Sequence, residues 1–115
     1  MDKQAFGAWG EAQSMYYLRS QSYQILHTNW RYRKAEIDII AKKESLIVFV
    51  EVKTRLYKHQ LPVDELISKR KIELFHEVAE HYLEAEGLDL EVRCDVIAIC
   101  GSPKYFKINH IEDAF

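Results

Sequence analysis

The sequence predicts an α/β domain in which a mixed five-stranded sheet is flanked by helices. The first observation is a run of apolar β-forming residues at 46–53, which is typical of a strand buried on both faces. The second is a polar turn before this run, preceded by another strand-like segment, as in an antiparallel hairpin. The third is a long amphipathic helical pattern that follows the hairpin and precedes further strand-like segments.

Length and composition indicate an ordinary globular protein. A chain of 115 residues can build one core but not two, so we expect a single domain over residues 1–115. No stretch is apolar enough to span a membrane, and the first residues lack the pattern of a signal peptide. Cys94 and Cys100 lie six apart in one strand-like segment, too far for a disulfide. We therefore expect a cytoplasmic protein with free thiols and no membrane partner.

The charge is unevenly distributed although the net charge is only −2. Residues 1–35 carry five Lys or Arg against two acids, and residues 52–71 carry six against two. Residues 72–99 carry one Arg against eight acids. A basic face is the usual footprint for a polyanion, although charge runs more often only solvate a surface.

The first predicted element is a helix over residues 2–22, with Asp2 as its N-cap. Apolar residues recur on one face at helical spacing, at Ala5, Trp9, Ala12 and Tyr16.

A strip of small residues runs beside that face, formed by Gly7, Gly10 and Ser14, with Glu11 next to it. Such a strip allows another backbone to approach closely. One alternative is tight packing of the helix on a sheet with Glu11 solvated.

Three strands are predicted next, over residues 23–32, 35–41 and 46–53. If Glu44 and Ser45 form a two-residue loop, opposed residues in the last two strands have numbers that sum to 89, and Asp38 lies opposite Glu51. Opposed side chains project from the same face with Cβ atoms about 5 Å apart. Two carboxylates in that position are destabilising unless a cation lies between them.

Glu51 and Lys53 share one face at the end of the buried strand. Charges there cost desolvation energy unless each has a partner. One interpretation is an internal ion pair at the edge of the core. The other is a metal-binding carboxylate beside a lysine that contacts a phosphate. Similarly, Arg31 near the end of the first strand either grips phosphates or is merely solvated.

The second half of the chain is predicted to contain a loop over 54–64, a helix over 64–86 and two strands over 91–100 and 104–110. Gly87 is the predicted helix stop, and Lys71 falls on the buried stripe of this helix, pointing along the sheet. The turn between the last strands is predicted at residues 101–103. For Asp95 we favour a structural role, and Phe115 is expected to dock on the core.

The order of elements and these residues together resemble the PD-(D/E)XK nuclease superfamily, whose restriction-endonuclease-like core is αβββαβ. That superfamily has Asp on the second strand and (D/E)-x-K on the third, which correspond here to Asp38, Glu51 and Lys53. Glu11 matches the first-helix glutamate of its Holliday-junction-resolvase branch.

The chain also resembles the YraN-like family of endonuclease-like bacterial proteins, almost from end to end. The matching segments are Gly7-x-x-Gly10-Glu11, Asn29-x-Arg31, Glu36-Ile37-Asp38-Ile39-Ile40-Ala41, Val48-Phe49-Val50-Glu51-Val52-Lys53-x-Arg55, Lys71, Arg93-x-Asp95-Val96 and Ile111-x-x-Ala114-Phe115. Ala35 departs from the pattern, because the family usually has glycine there.

The resemblance implies a metal-dependent endonuclease whose catalytic residues are Glu11, Asp38, Glu51 and Lys53. Asp38 and Glu51, with Glu11 directly or through water, would hold Mg²⁺ or Mn²⁺. A nucleic acid, with DNA favoured and branched DNA one option, would be the partner. Its backbone would be contacted through Asn29, Arg31, Arg55, Lys71 and the strip at Gly10. Resolvase relatives act as dimers, so a homodimer and a monomer are both open.

Two other hypotheses remain. The chain is alternatively a nucleic-acid-binding module with a nuclease fold that does not cleave independently. In the third hypothesis the charged residues form a purely structural network of salt bridges. The intact set of Glu11, Asp38, Glu51 and Lys53 favours the enzyme over the other two.

Overall fold

The computed structural model describes residues 1–56 and 66–115, which form two helices and five strands. In chain order these are α1 (Lys3–Ser20), β1 (Gln24–Tyr32), β2 (Ala35–Lys43), β3 (Leu46–Arg55), α2 (Lys69–Glu86), β4 (Glu91–Ser102) and β5 (Tyr105–Ile111). The strands lie in the order β1-β2-β3-β4-β5, with β3 and β4 parallel and every other pair antiparallel. The predicted α/β fold with a mixed five-stranded sheet is confirmed.

The two helices cover opposite faces of the sheet. On one face, Phe49 of β3 packs in a buried cluster with Phe75 and Tyr82 of α2. On the other, Leu18 of α1 packs with Val50 in a second buried cluster. Because β3 contributes to both clusters, it is covered on both sides, as its continuous apolar sequence predicts.

The face that α1 turns to the sheet differs from the predicted apolar stripe. Its buried residues are Gly10, Ser14 and Leu18, whereas Tyr16 is 68% exposed. A Cβ atom at Gly10 would come within 2.1 Å of the Thr54 hydroxyl on β3. The close approach of helix and strand therefore selects small residues, and the aromatic side chains are displaced to the flanks. The contact of Gly10 with Thr54 thus agrees with the alternative in which the helix packs tightly on the sheet.

The helix ends follow local capping rules, with one correction. The Asp2 carboxylate accepts a hydrogen bond from the Ala5 N–H at 2.7 Å, as an N-cap does. The second helix begins at Lys69, because the Ser68 side chain caps it, and not at 64. Position 64 and most of the predicted 54–64 loop lie outside the described residues. Gly87 ends the helix in the left-handed conformation, with φ 61°, as predicted.

Two of the strands are also longer than predicted. β3 continues through Arg55, so its last two residues are strand and not loop. β4 continues through Ser102, which pairs with Tyr105, so the turn lies at 103–104 and not at 101–103. Ala35 pairs with Tyr32 and has no positive φ, so the absence of glycine there causes no backbone strain.

The C-terminal tail docks on the core as predicted, because the Phe115 ring meets Phe75 edge-on with centroids 4.8 Å apart. Cys94 and Cys100 are both free. Neither helix in the described part of the chain is long and apolar enough to cross a membrane.

Gly10 and Gly7, one turn apart on α1, provide a matched test of this packing. We expect Gly10→Ala to destabilise the protein by about 1–3 kcal/mol, since the added methyl overlaps the Thr54 side chain. A Cβ at Gly7 meets nothing within 4 Å, so Gly7→Ala should be neutral or stabilising by up to about 1 kcal/mol through helix propensity. Urea unfolding of both variants measures the difference. Equal effects would contradict the close approach at Gly10.

Candidate functional site

The candidate site is a cleft of about 250 Å³ that lies beyond the last paired residues of β2 and β3. All four predicted catalytic residues line this cleft, together with one residue that is predicted to contact phosphate. These are Glu11 from α1, Asp38 from β2, and Glu51, Lys53 and Arg55 from β3. The fold therefore brings these side chains, up to 44 positions apart in the sequence, to one place.

The hairpin between β2 and β3 has the predicted register. Lys43 pairs with Leu46, and the pairing continues to Ile39 and Val50, so opposed numbers sum to 89 throughout. Beyond that pair Asp38 leaves the backbone ladder. Its Oδ2 accepts a hydrogen bond from the Val52 N–H at 2.8 Å, so the side chain takes the place of a backbone acceptor.

The strand also changes its facing at Asp38. Ile39 packs in the cluster beneath α1, whereas Ile37 packs in the cluster beneath α2, although residues two apart in a regular strand face the same way. This irregularity, together with the Val52 hydrogen bond, directs the Asp38 carboxyl into the cleft beside Glu51.

The environment of Asp38 favours its protonated form. Burial is the largest cause and the negative charge of Glu51 the next, while the Val52 N–H opposes both. Together they raise the pKa of Asp38 to about 8. Two adjacent buried carboxyls that share one proton, or one cation, are the expected result of this geometry.

Glu51 is the most deeply buried of the four, with a side chain only 4% exposed. Its Oε1 accepts a hydrogen bond from the Lys71 ammonium at 3.1 Å and lies 4.0 Å from the Lys53 ammonium. Its Oε2 is buried and receives no hydrogen bond from any described residue. A proton on Asp38, a water molecule or a bound cation would satisfy that oxygen.

The two lysines respond to the same surroundings in opposite ways. Burial lowers the pKa of Lys53, and the positive charges of Lys71 and Arg55 lower it further, against the attraction of Glu51. Burial also acts on Lys71, but the charge and hydrogen bond of Glu51 outweigh it and raise its pKa. Lys71 is thus the direct counter-ion of Glu51. Lys53 is 18% exposed, and its 4.0 Å ion pair with Glu51 is longer than the 3.1 Å pair that Lys71 makes.

Glu11 is held at the edge of the cleft by Asn29, whose amide donates to both Glu11 oxygens at 3.2 and 3.4 Å. The same amide donates to Glu36 at 3.1 Å, and Asn29 has a φ of 50° within β1. Burial raises the pKa of Glu11, although the Asn29 hydrogen bond partly opposes it. Asn29 therefore positions Glu11. Among the described residues, its amide donates to Glu11 and Glu36 and not to Asp38 or Glu51.

The remaining predicted contacts lie outside the cleft. Arg31 is 73% exposed and pairs with Glu36 at 2.8 Å. Gly10 is buried against Thr54. Lys71 borders an adjoining cavity of about 420 Å³ that also contains Asp38. Asp38 thus lines both the cavity and the cleft, and Lys71 contacts the cleft through its hydrogen bond to Glu51.

No three His, Cys, Asp or Glu side chains among the described residues converge closely enough to form a complete metal site. The carboxylates of Asp38 and Glu51 thus form a two-residue donor set. Glu11 stands apart on its own hydrogen bonds.

Sequence reasoning missed two residues that line the cleft, Lys3 and Phe6. A usable signal was present, because Lys3, Gly7 and Glu11 recur at a spacing of four on the first helix. Phe6 flanks that row. The predicted apolar stripe lies on a different face of this helix.

A second buried carboxylate, Asp95, is fully satisfied. Arg93 donates to both of its oxygens at 2.9 Å, the Asp113 N–H donates at 3.0 Å, and His110 Nε2 lies 2.6 Å away. Burial alone would raise the pKa of Asp95, but the hydrogen bonds from His110 and Arg93 hold it below its usual value. This network ties β4 to β5 and the tail, consistent with the structural role that we favoured.

Comparison with known proteins identifies the family. The model of "Uncharacterised protein family UPF0102" matches residues 10–99. The chain belongs to this family. A relative from Flavobacterium psychrophilum is 45% identical over 109 residues, which covers 95% of this chain and 92% of that protein. One from Christiangramia forsetii is 41% identical over the same shares of the two chains. The YraN-like resemblance is thus confirmed.

A third relative spans the whole chain. The protein from Sulfurihydrogenibium sp. is 39% identical over 116 aligned positions, covering all of this chain and 97% of its own. The UPF0102 match includes every carboxylate and lysine of the cleft except Lys3. Because the family is described as uncharacterised, membership gives no activity, and the function must be argued from the cleft.

Asp38→Asn should remove a pH-dependent loss of stability in metal-free protein. Between the ordinary carboxyl pKa of 3.8 and about 8, the folded state holds a proton on Asp38 that the unfolded state has lost. The unfolding free energy should therefore fall as pH rises through this window, by at most about 1.4 kcal/mol per pH unit. Asparagine stays neutral and still accepts from the Val52 N–H, so the variant should gain on the wild type from pH 5 to pH 8.

Urea unfolding in EDTA at several pH values measures this difference. Asp89→Asn, at an exposed position, is the matched control and should parallel the wild type. A difference between Asp38→Asn and the wild type that does not change with pH would refute the raised pKa.

Proposed function

We propose that this protein is a Mg²⁺-dependent phosphodiesterase that cleaves nucleic acid, with DNA as the substrate. The observation that carries the proposal is the buried, unsatisfied Glu51 Oε2 beside Asp38, in a cleft that also contains Lys53. A structural network would be expected to close its hydrogen bonds. Here no described residue donates to the buried Glu51 Oε2, and the Lys53 ammonium lies only 4.0 Å from the other oxygen of the same carboxylate.

The donor set suits Mg²⁺, which commonly binds one or two carboxylates and keeps several waters. Asp38 and Glu51 are the proposed ligands, and the Val52 carbonyl is a candidate further oxygen. The absence of a three-residue cluster in the described part of the chain argues against zinc, which takes three or four protein ligands. Glu11, fixed by Asn29 at the cleft edge, would act through a water molecule.

When bound, Mg²⁺ supplies a positive charge that polarises a phosphate and lowers the pKa of water. The remaining roles belong to the chain itself. Lys53 faces the cleft and is proposed to orient the attacking water or to stabilise charge on the phosphoryl oxygens. Lys71 donates a hydrogen bond to Glu51 Oε1, so Oε2 would be the oxygen that holds the cation. Arg55, exposed at the cleft rim, is suited to a neighbouring backbone phosphate.

Polar partners outside the cleft complete the proposal. Asn29 positions Glu11, and Arg31 is available at the surface through its exposed guanidinium. Gly10 is assigned to helix packing and not to substrate contact, since it is buried against Thr54. The net charge of −2 places the burden of substrate binding on the local cations of the cleft and not on the overall charge.

Mg²⁺ should stabilise the folded protein by binding the two carboxylates. At 100 times its dissociation constant the expected gain is about 2.7 kcal/mol, seen as a rise in Tm. The gain should be larger at pH 8 than at pH 6, because the ion displaces the proton that Asp38 otherwise holds.

Thermal melting with and without Mg²⁺ measures the effect. Glu51→Gln should abolish it. Glu91→Gln, which alters an exposed glutamate at the opposite end of the β3–β4 pairing, should retain it. A Tm that rises equally in all three proteins would point to nonspecific ion effects and against the site.

Cleavage of branched, single-stranded and duplex DNA in the presence of Mn²⁺ or Mg²⁺ tests the activity itself. We expect Asp38→Asn and Lys53→Met each to lower the rate by at least 100-fold, on the order of what loss of one charge-stabilising group costs. Lys107→Met is the matched control on the exposed face of β5. Activity that survives both cleft substitutions would show that another site, or a contaminant, cleaves the DNA.

The same assay separates the enzyme from a nucleic-acid-binding module. A module would bind DNA through the cleft cations but leave every substrate intact with either metal. Binding without cleavage would therefore favour that alternative over the phosphodiesterase.

A further inference from the structure

An aromatic ring lines the cleft together with the carboxylates. Phe6 lines the cleft together with Lys3, both from the first turn of α1. Polar and charged side chains alone would suffice to bind a metal and a phosphate. The presence of Phe6 therefore needs a separate explanation.

Phe6 is held in place by other aromatic residues. Its ring stacks on Trp9 with centroids 5.7 Å apart and planes inclined by 12°. Trp9 in turn meets Phe106 of β5 edge-on at 4.9 Å, and both pack against the buried cluster beneath α1. The stack fixes Phe6 at the cleft instead of leaving it as a mobile surface side chain. Its position is thus defined before any ligand arrives.

The space beside Phe6 is open. A Cβ atom at Gly7 would meet nothing within 4 Å, and Gly7 lies between Phe6 and the turn that carries Glu11. The bare backbone there leaves room for a flat group alongside the Phe6 ring. Such a group would share the cleft with the carboxylates of Asp38 and Glu51, which line it together with Phe6.

The charges around this space fit an anion on the same ligand. Lys3 and Arg55 lie on the rim, and Lys53 lies inside the cleft. A flat aromatic group joined to phosphates is a nucleotide, which uses both the ring and the cations. In a continuous duplex both faces of a base are covered by its neighbours. A base that stacks on Phe6 must therefore be unpaired or lie at a strand end.

We propose that Phe6 is a stacking platform for an unpaired nucleotide next to the phosphate held by Lys53, so that the cleft takes single-stranded DNA or the single-stranded part of a junction. This inference rests on the proposed function, since it assigns the substrate class of the same cleft. It makes Phe6 a binding residue and Trp9 its support.

Binding in EDTA tests the inference without any cleavage. Fluorescence anisotropy would follow a labelled oligothymidylate, a duplex of equal length, and an abasic oligonucleotide with the same number of phosphates. Stacking of one base contributes about 1–3 kcal/mol, so Phe6→Ala should weaken oligothymidylate binding roughly 5- to 150-fold. It should leave abasic and duplex binding unchanged.

Tyr16→Ala is the matched control, because Tyr16 is an aromatic residue on the same helix, 68% exposed and not part of the cleft lining. It should bind all three ligands like the wild type. Phe6→Leu keeps an apolar side chain and guards against misfolding. It should show a smaller loss than Phe6→Ala, with the same dependence on the presence of bases.

Trp9 provides a direct optical readout. The chain has two tryptophans, so Trp30→Phe leaves Trp9 as the sole tryptophan reporter. Its emission should change on addition of oligothymidylate but not of the abasic strand, and Phe6→Ala should abolish the change. Equal affinity of wild type and Phe6→Ala for every ligand, or tightest binding to the duplex, would overturn the inference.

The two proposals fail separately. If cleavage requires Asp38 but single-strand binding ignores Phe6, the substrate assignment is wrong and the phosphodiesterase stands. If Phe6 governs single-strand binding but no DNA is cleaved with either metal, the base platform stands and the cleft belongs to a binding module.

Discussion

The pairing of β2 with β3 is the constraint on which the candidate site depends. It runs in register from the Glu44-Ser45 loop to Ile39 and Val50 and then ends. The carboxyl of Asp38, the next residue, accepts a hydrogen bond from the Val52 N–H. It therefore stays beside Glu51 at the end of a strand buried on both faces. A shift of one residue would move every side chain of the strand to the other face and separate the two carboxyls.

Asp95 and Glu51, the most deeply buried carboxylates among the described residues, have opposite hydrogen-bonding environments. Asp95 has donors on both oxygens, from Arg93, His110 and the Asp113 backbone, and its pKa is lowered. Glu51 has Lys71 on one oxygen and no donor from the described residues on the other. The same fold can therefore satisfy a buried acid completely where the role is structural. The open oxygen at Glu51 is a local property of the cleft and not a general deficiency of the packing.

Much of this arrangement could be predicted from the sequence because it is encoded locally. The two-residue loop and the apolar run together determine the hairpin register, and hence the proximity of Asp38 and Glu51. Helical periodicity places Lys71 toward the sheet, where it meets Glu51. The capping residues Asp2 and Gly87 also act within one turn of the chain.

What could not be predicted depends on contacts between distant segments. Tyr16 fits an apolar helical stripe as well as Trp9 does, and only the close approach of Thr54 to Gly10 decides which face is buried. The same choice of buried face on α1 also places Lys3 and Phe6 in the cleft. Similarly, no local sequence pattern indicates that β4 extends to Ser102. The position of the turn depends on the pairing of Ser102 with Tyr105 of β5.

The charge balance of the cleft is the reason for proposing a divalent cation, and not another side chain, between the two carboxylates. Lys71 already neutralises one oxygen of Glu51, and Lys53 is 4.0 Å away with its pKa lowered by burial and by its cationic neighbours. A third ammonium would add to that repulsion. A proton reduces the repulsion between Asp38 and Glu51 only by neutralising one of them, and this repulsion is, after burial, a cause of the raised pKa of Asp38. The proposed divalent ion would let both carboxylates ionise at once and, as Mg²⁺ does in other proteins, would keep positions for water and phosphate.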